Sequence, residues 1–199
     1  MKNGKFLVIL YIFIFLVVLT GATFAYFTQN ATGNEGAIAG KSAKVGVSLQ
    51  IEPLYNDKDL VPMDDVDVEK AFKEYHCVDL NNYGACQAYT ISIINEGQSA
   101  EYNGTIKFTL SGITNLNYML FDEDDNVYVD ITNIVTDTDQ TLGGALNLLE
   151  DEAKTFKLVI WVPNFDYDQF EYDGGGSFDA SVTYASVGNY HVTGSISGS

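Results

Sequence analysis

Between Val45 and Ile196, apolar residues return at every second position in one short run after another, and each run stops at a turn signal. A period of two sends alternate side chains to opposite faces of an extended chain, so each run reads as a half-buried strand. Residues 45–51 (VGVSLQI) alternate over seven positions and are expected to end at Pro53. Residues 89–93 stop at Asn95-Glu96-Gly97, and residues 105–110 stop at Ser111-Gly112. Shorter runs at 118–121 and 127–131 flank the acidic turn Asp122-Glu123-Asp124-Asp125-Asn126. Residues 155–162 close at Pro163, and the runs 177–186 and 190–196 are separated by Gly188-Asn189, a tight-hairpin signal. Seven or eight strands without βαβ alternation predict an all-β fold, an antiparallel β-sandwich over residues 45–199.

Two stretches depart from the alternation. Residues 64–75 (DDVDVEKAFKEY) place acids in a first turn, where they suit the helix dipole, and predict the one short helix, with a loop as the competing reading. Residues 132–153 are ambiguous, and 142–149 read as a loop or a single helical turn. The 13 Tyr and 12 Phe support a strand-rich core and exclude an intrinsically disordered acidic chain, which would lack aromatics.

At the N-terminus, Lys2 and Lys5 precede an unbroken apolar run of fourteen residues, 6–19. Thr23 and Ala25 then stand at the −3 and −1 positions of a signal-peptidase cut between Ala25 and Tyr26. The expectation is a signal peptide over residues 1–25. The competing reading is a retained transmembrane anchor, since residues 6–27 span 22 positions and are long enough to cross a bilayer. Either way the remainder is exported, to the exterior or the cell surface. The first Cys, Cys77, lies too far along for a lipoprotein cut, the first acid, Glu35, too far for a type IV prepilin, and no wall-sorting signal follows Ile196.

Ten Lys and no Arg stand against 27 acids, a net charge of −17; loss of residues 1–25 leaves eight Lys and a net charge of −19. No basic stripe is present to displace counterions from a phosphate backbone, so nucleic acid is not an expected partner. Membrane contact is expected only through an uncleaved signal segment. Residues 26–44 are small and polar, with three Gly (33, 36, 40) and a single acid, Glu35. They read as a flexible leader and a possible donor strand.

Cys77 and Cys86 are the two cysteines, and in an exported chain they are expected to form a disulfide closing the loop CVDLNNYGAC. Chain entropy gives such a loop of about ten residues roughly 2.7 kcal/mol. A zinc site would need four ligands, and His76 alone stands nearby. His76 and His191 are the only histidines, with no His-Glu-x-x-His pair and no Gly-x-Ser-x-Gly elbow. Asp122, Asp124 and Asn126 match the first three ligand positions of an EF-hand, but Val127 replaces the turn glycine and Asn133 the closing Glu. A looser calcium site there, or at Asp166, Asp168, Glu171 and Asp173, competes with the simpler reading of solvated acidic turns. No catalytic residue, metal or cofactor is expected.

The N-terminal register, Gly21-Ala22-Thr23-Phe24-Ala25, then Tyr26-Phe27-Thr28, a polar stretch, Ala39-Gly40 and the strand at 45–51, resembles the TasA/camelysin family. These are exported biofilm-matrix and surface proteins processed by a SipW-type signal peptidase. Ile160-Trp161, Gln169 and the strand at 178–187 are similar in pattern to the C-terminal half of such proteins. The resemblance implies a jelly-roll sandwich whose members polymerise by lending an N-terminal strand to the next subunit. The Cys77–Cys86 loop is not carried over from the family, and no metal-ligand set supports a camelysin-like peptidase. The expected function is a fibre-forming matrix subunit that self-associates through residues 26–44. The alternative is a monomeric adhesin using Tyr167, Phe170 and Tyr172.

Overall fold

A computed structural model describes residues 46–97, 101–165, 176–187 and 190–198. The predicted signal peptide with its Ala25–Tyr26 cut, the leader at 26–44, the acids and aromatics between 166 and 173, and the Gly188-Asn189 turn lie outside the described residues.

Among the described residues, nine strands and one helix follow in the order β1 (Val47–Tyr55), α1 (Asp65–Tyr75), β2 (Gln87–Asn95), β3 (Tyr102–Gly112), β4 (Asn117–Phe121), β5 (Val127–Asn133), β6 (Gln140–Leu148), β7 (Ala153–Trp161), β8 (Phe178–Ser186) and β9 (His191–Gly198). They form two sheets, β1-β2-β7-β4-β5 and β6-β3-β8-β9, antiparallel at every pairing. The chain is an all-β sandwich of jelly-roll type. The order β2-β7-β4-β5 is one four-stranded sheet of a jelly roll, and β6-β3-β8 supplies three strands of the other. β9 takes the place beside β8 that a jelly roll gives to its first strand, while β1 pairs on β2 instead.

The core lies between the sheets. Ile91 and Ile93 of β2, Leu158 and Ile160 of β7, and Leu120 of β4 meet Ile106, Phe108 and Leu110 of β3 and Val182 and Tyr184 of β8. A second cluster sits on the outer face of the five-stranded sheet, where Val68 and Phe72 of α1 cover Ala88, Met119, Phe121, Val159 and Trp161. Val68, Ala71 and Phe72 are spaced three and four apart, which puts them on one helix face. With the helix on one side and the inter-sheet core on the other, β4 is buried at all five positions. That is why residues 118–121 read as a continuous apolar run and not as an alternation.

Two expectations are corrected. Pro53 does not end the first strand; β1 continues to Tyr55, with a register shift between Pro53 and Tyr55. Proline is tolerated because β1 is an edge strand, where an absent N–H need not leave a ladder partner unpaired. Residues 142–149 are neither loop nor helical turn, since β6 runs through Leu148. Between Gly104 and Ile106 of β3, the partner strand advances from Leu146 to Leu142, so β6 carries a bulge. Gly143 takes a φ of +73° within it. The bulge sets the inward-facing Leu142 and Leu146 four residues apart, the spacing of a helix face.

Candidate functional site

Residues 26–44 lead in sequence into β1, so the start of β1 is where a function of that segment meets the sandwich. Tyr102 of β3, Tyr184 of β8 and Tyr190, the residue before β9, converge there. Tyr190 Oη donates to the Val47 carbonyl at 3.1 Å, and the Tyr102 and Tyr190 rings lie 6.0 Å apart, tilted by 46°. Tyr184 Oη donates to the Tyr102 carbonyl at 3.1 Å. The Gly46 carbonyl accepts from the Glu96 N–H at 2.8 Å, and Ser48 Oγ donates to Glu96 Oε1 at 3.0 Å. Any side chain at Gly46 would overlap the Tyr102 hydroxyl, so the glycine is what lets the chain pass under that ring.

Burial raises the Tyr190 hydroxyl above the usual phenol range; its bond to Val47 offsets part of this, and Tyr102 and Glu96 add to the rise. Burial raises Tyr184 as well, followed by the effect of Tyr102. Both hydroxyls remain neutral donors at physiological pH. The arrangement grips main chain: it holds an extended segment by the Gly46 and Val47 carbonyls.

The predicted disulfide is formed, Cys77 to Cys86 with Cα atoms 4.7 Å apart. Both half-cystines are buried and pack in the α1 cluster. The loop they close is held internally by Asp79, whose Oδ1 accepts from the N–H groups of Asn81 at 2.9 Å and Tyr83 at 2.7 Å. His76 ends α1 in a left-handed conformation, φ 55°, with its ring 5.1 Å from that of Tyr55. His191 is the exposed first residue of β9 in the other sheet. Among the described residues, no three of His, Cys, Asp and Glu gather into a group able to hold a metal ion.

The acidic turn between β4 and β5 is organised by its own hydrogen bonds. Asp122 Oδ1 accepts from the Asp124 N–H at 3.0 Å and the Asn126 N–H at 2.8 Å. Lys157 Nζ reaches Asp125 Oδ1 at 2.5 Å and the Glu123 carbonyl at 3.2 Å. The bonds from Asn126 hold the Asp122 carboxyl below the usual range. Of the residues that bear on a function, the sequence reading missed Tyr102, Tyr184 and Tyr190. Each belongs to a different strand run, and nothing local marks them as neighbours.

No family model matches the chain, and no curated protein matches it. Among solved structures, the chain is similar to Spo0M, a sporulation control protein from Bacillus subtilis, at 10% identity over 78% of this chain and 49% of that one, with a TM-score of 0.38. It thus spans about half the length of Spo0M. A conjugative transposon lipoprotein from Bacteroides eggerthii is similar at 6% identity over 78% of this chain and 98% of that one, TM-score 0.37. The CupB6 tip adhesin from Pseudomonas aeruginosa follows at 8% identity over 72% and 43%, TM-score 0.34.

Proposed function

We propose that the protein is an exported structural subunit of a cell surface or biofilm matrix, and that copies join through residues 26–44. The observation that carries this reading is the position of β1. It forms an edge of the five-stranded sheet, and at its start the Val47 carbonyl accepts from Tyr190 and the Gly46 carbonyl from the Glu96 N–H. A segment leaving that point toward a neighbour pulls against an anchored strand and not against a loose end. Edge strands offer unpaired main-chain groups, and pairing by an added strand gives affinity without a deep pocket.

The Cys77–Cys86 disulfide fits an oxidising, extracellular or surface location. The apolar run at 6–19 and the small residues at Thr23 and Ala25 support export with cleavage before Tyr26. The N-terminal resemblance to the TasA/camelysin family supports a matrix role. In this reading the protein is not an enzyme.

Sedimentation velocity of the secreted protein tests it. A net charge of −19 opposes subunit approach, so salt should shift the protein from monomer to heavier species as repulsion is screened. A monomer at every salt concentration and pH would instead favour a solitary binding module.

A further inference from the structure

The outer face of the four-stranded sheet carries short polar side chains in register. Thr109 lies opposite Ser181 and Lys107 opposite Thr183, and the rows continue into β9 as Ser195 and Thr193. In the next row Thr105, Ala185 and His191 stand side by side. The small methyl of Ala185 leaves the floor low between Lys107 and His191. A hollow of about 360 Å³ results, bounded also by Asp139 and Tyr190, within the size range of small-ligand sites.

Its polar groups are held but not used up. Thr109 Oγ1 donates to Asp139 Oδ1 at 2.5 Å, which leaves Asp139 Oδ2 open. The Thr183 and Thr193 hydroxyls bond one another at 2.8 Å. Among the described lysines, Lys73, Lys154 and Lys157 are ion-paired, Lys58 bonds Asn82 and Lys70 lies over the Tyr75 ring. Lys107 has no such partner among the described residues, and neither do the Ser181 hydroxyl and the His191 ring. The floor is rigid, because Phe108 and Val182 beneath it are fully buried core residues.

We infer that this hollow binds a neutral, polyhydroxylated saccharide chain. One cation and one carboxylate face the same space, so a ligand with hydroxyls can donate to Asp139 and accept from Lys107 and Ser181 at once. An apolar ligand would strand these groups unpaired. A polyanion would meet Lys107 favourably but would approach a chain of net charge −17. Use of this hollow does not depend on self-association.

The test is amide NMR of the secreted protein titrated with cellotetraose, chitotetraose and a mannose tetramer, with tetragalacturonate and inorganic phosphate as anionic probes. At least one neutral tetramer should shift the amides of Lys107, Ser181, Ala185 and His191 with a Kd of about 1 mM or tighter. Asp139→Asn and Lys107→Ala should each weaken that binding about tenfold. Ala185→Tyr, which fills the hollow from the solvent side without touching the core, should abolish it while the remaining spectrum stays that of the folded protein. The inference is overturned if no neutral tetramer shifts these amides, if the anionic probes bind more tightly, or if Ala185→Tyr binds as the parent does.

Discussion

Asp65 at the start of α1 accepts a 2.8 Å hydrogen bond on Oδ1 from the indole Nε1 of Trp161 at the end of β7, 96 residues later in the chain. The same carboxylate takes the Asn117 amide at 3.2 Å, and Asn117 in turn accepts from Asn133 Nδ2 at 3.2 Å. Trp161 is fully buried. This one carboxylate therefore fastens the helix to β7, β4 and, through Asn117, β5.

Trp161→Phe keeps most of the apolar volume and removes the donor to a charged acceptor, a bond worth about 1.5–3 kcal/mol. Urea unfolding should show a loss of about that size. Asp65→Ala combined with Trp161→Phe should cost less than the sum of the two single changes, because both remove the same bond. Strict additivity would show that the bond contributes nothing.

The disulfide gives a second prediction. Replacing both cysteines with Ser should lower stability by about 2–3 kcal/mol while the sandwich still folds, since its main core does not include the cystine. Mass analysis of the unreduced secreted protein should find no alkylatable thiol. Two free thiols in the native protein would contradict the structure.

Alkaline pH should expose Tyr89. Its hydroxyl donates to Gln87 Oε1 at 2.9 Å and lies 3.0 Å from the Ser197 carbonyl, and burial pushes its pKa up to about 12. The unfolded tyrosine ionises near pH 10. Its contribution is therefore intact below pH 10 and is lost as pH rises from 10 through 12. Tyr89→Phe should reduce stability at pH 7 by about 1–3 kcal/mol and flatten the loss between pH 10 and 12. An unchanged alkaline limb in the variant would place the titration elsewhere.

At the other end of the scale, Asp122 should titrate below the ordinary carboxylate range, because Asn126 donates to it from both backbone and side chain. Stability from this turn is present at neutral pH and lost as pH falls through the depressed value. Asn126→Ala removes the side-chain donor and keeps the backbone one, so it should raise the Asp122 pKa part of the way toward normal in a carboxylate NMR titration. No change would mean that the side-chain bond does not form in solution.

The strands were legible where one face meets core and the other water. Residues 89–93 and 105–110 alternate because β2 and β3 have such faces over those positions. Legibility failed at β6, where the Gly143 bulge put inward leucines on a helical spacing. It failed at Pro53 too, since an edge position is a property of the sheet order and not of the residue. Cys77 and Cys86 could be paired because they are the only two cysteines of a chain read as exported. The tyrosine cluster could not be read in the same way, because strand register alone brings Tyr102, Tyr184 and Tyr190 together.

Negative-stain electron microscopy of the secreted protein beside a variant lacking residues 26–40 tests self-association through the N-terminal segment most directly. The full mature form should give filaments, and the truncated form should stay a folded, soluble monomer under the same salt and pH. Filaments from the truncated form, or none from the full mature form in any condition, would contradict the account.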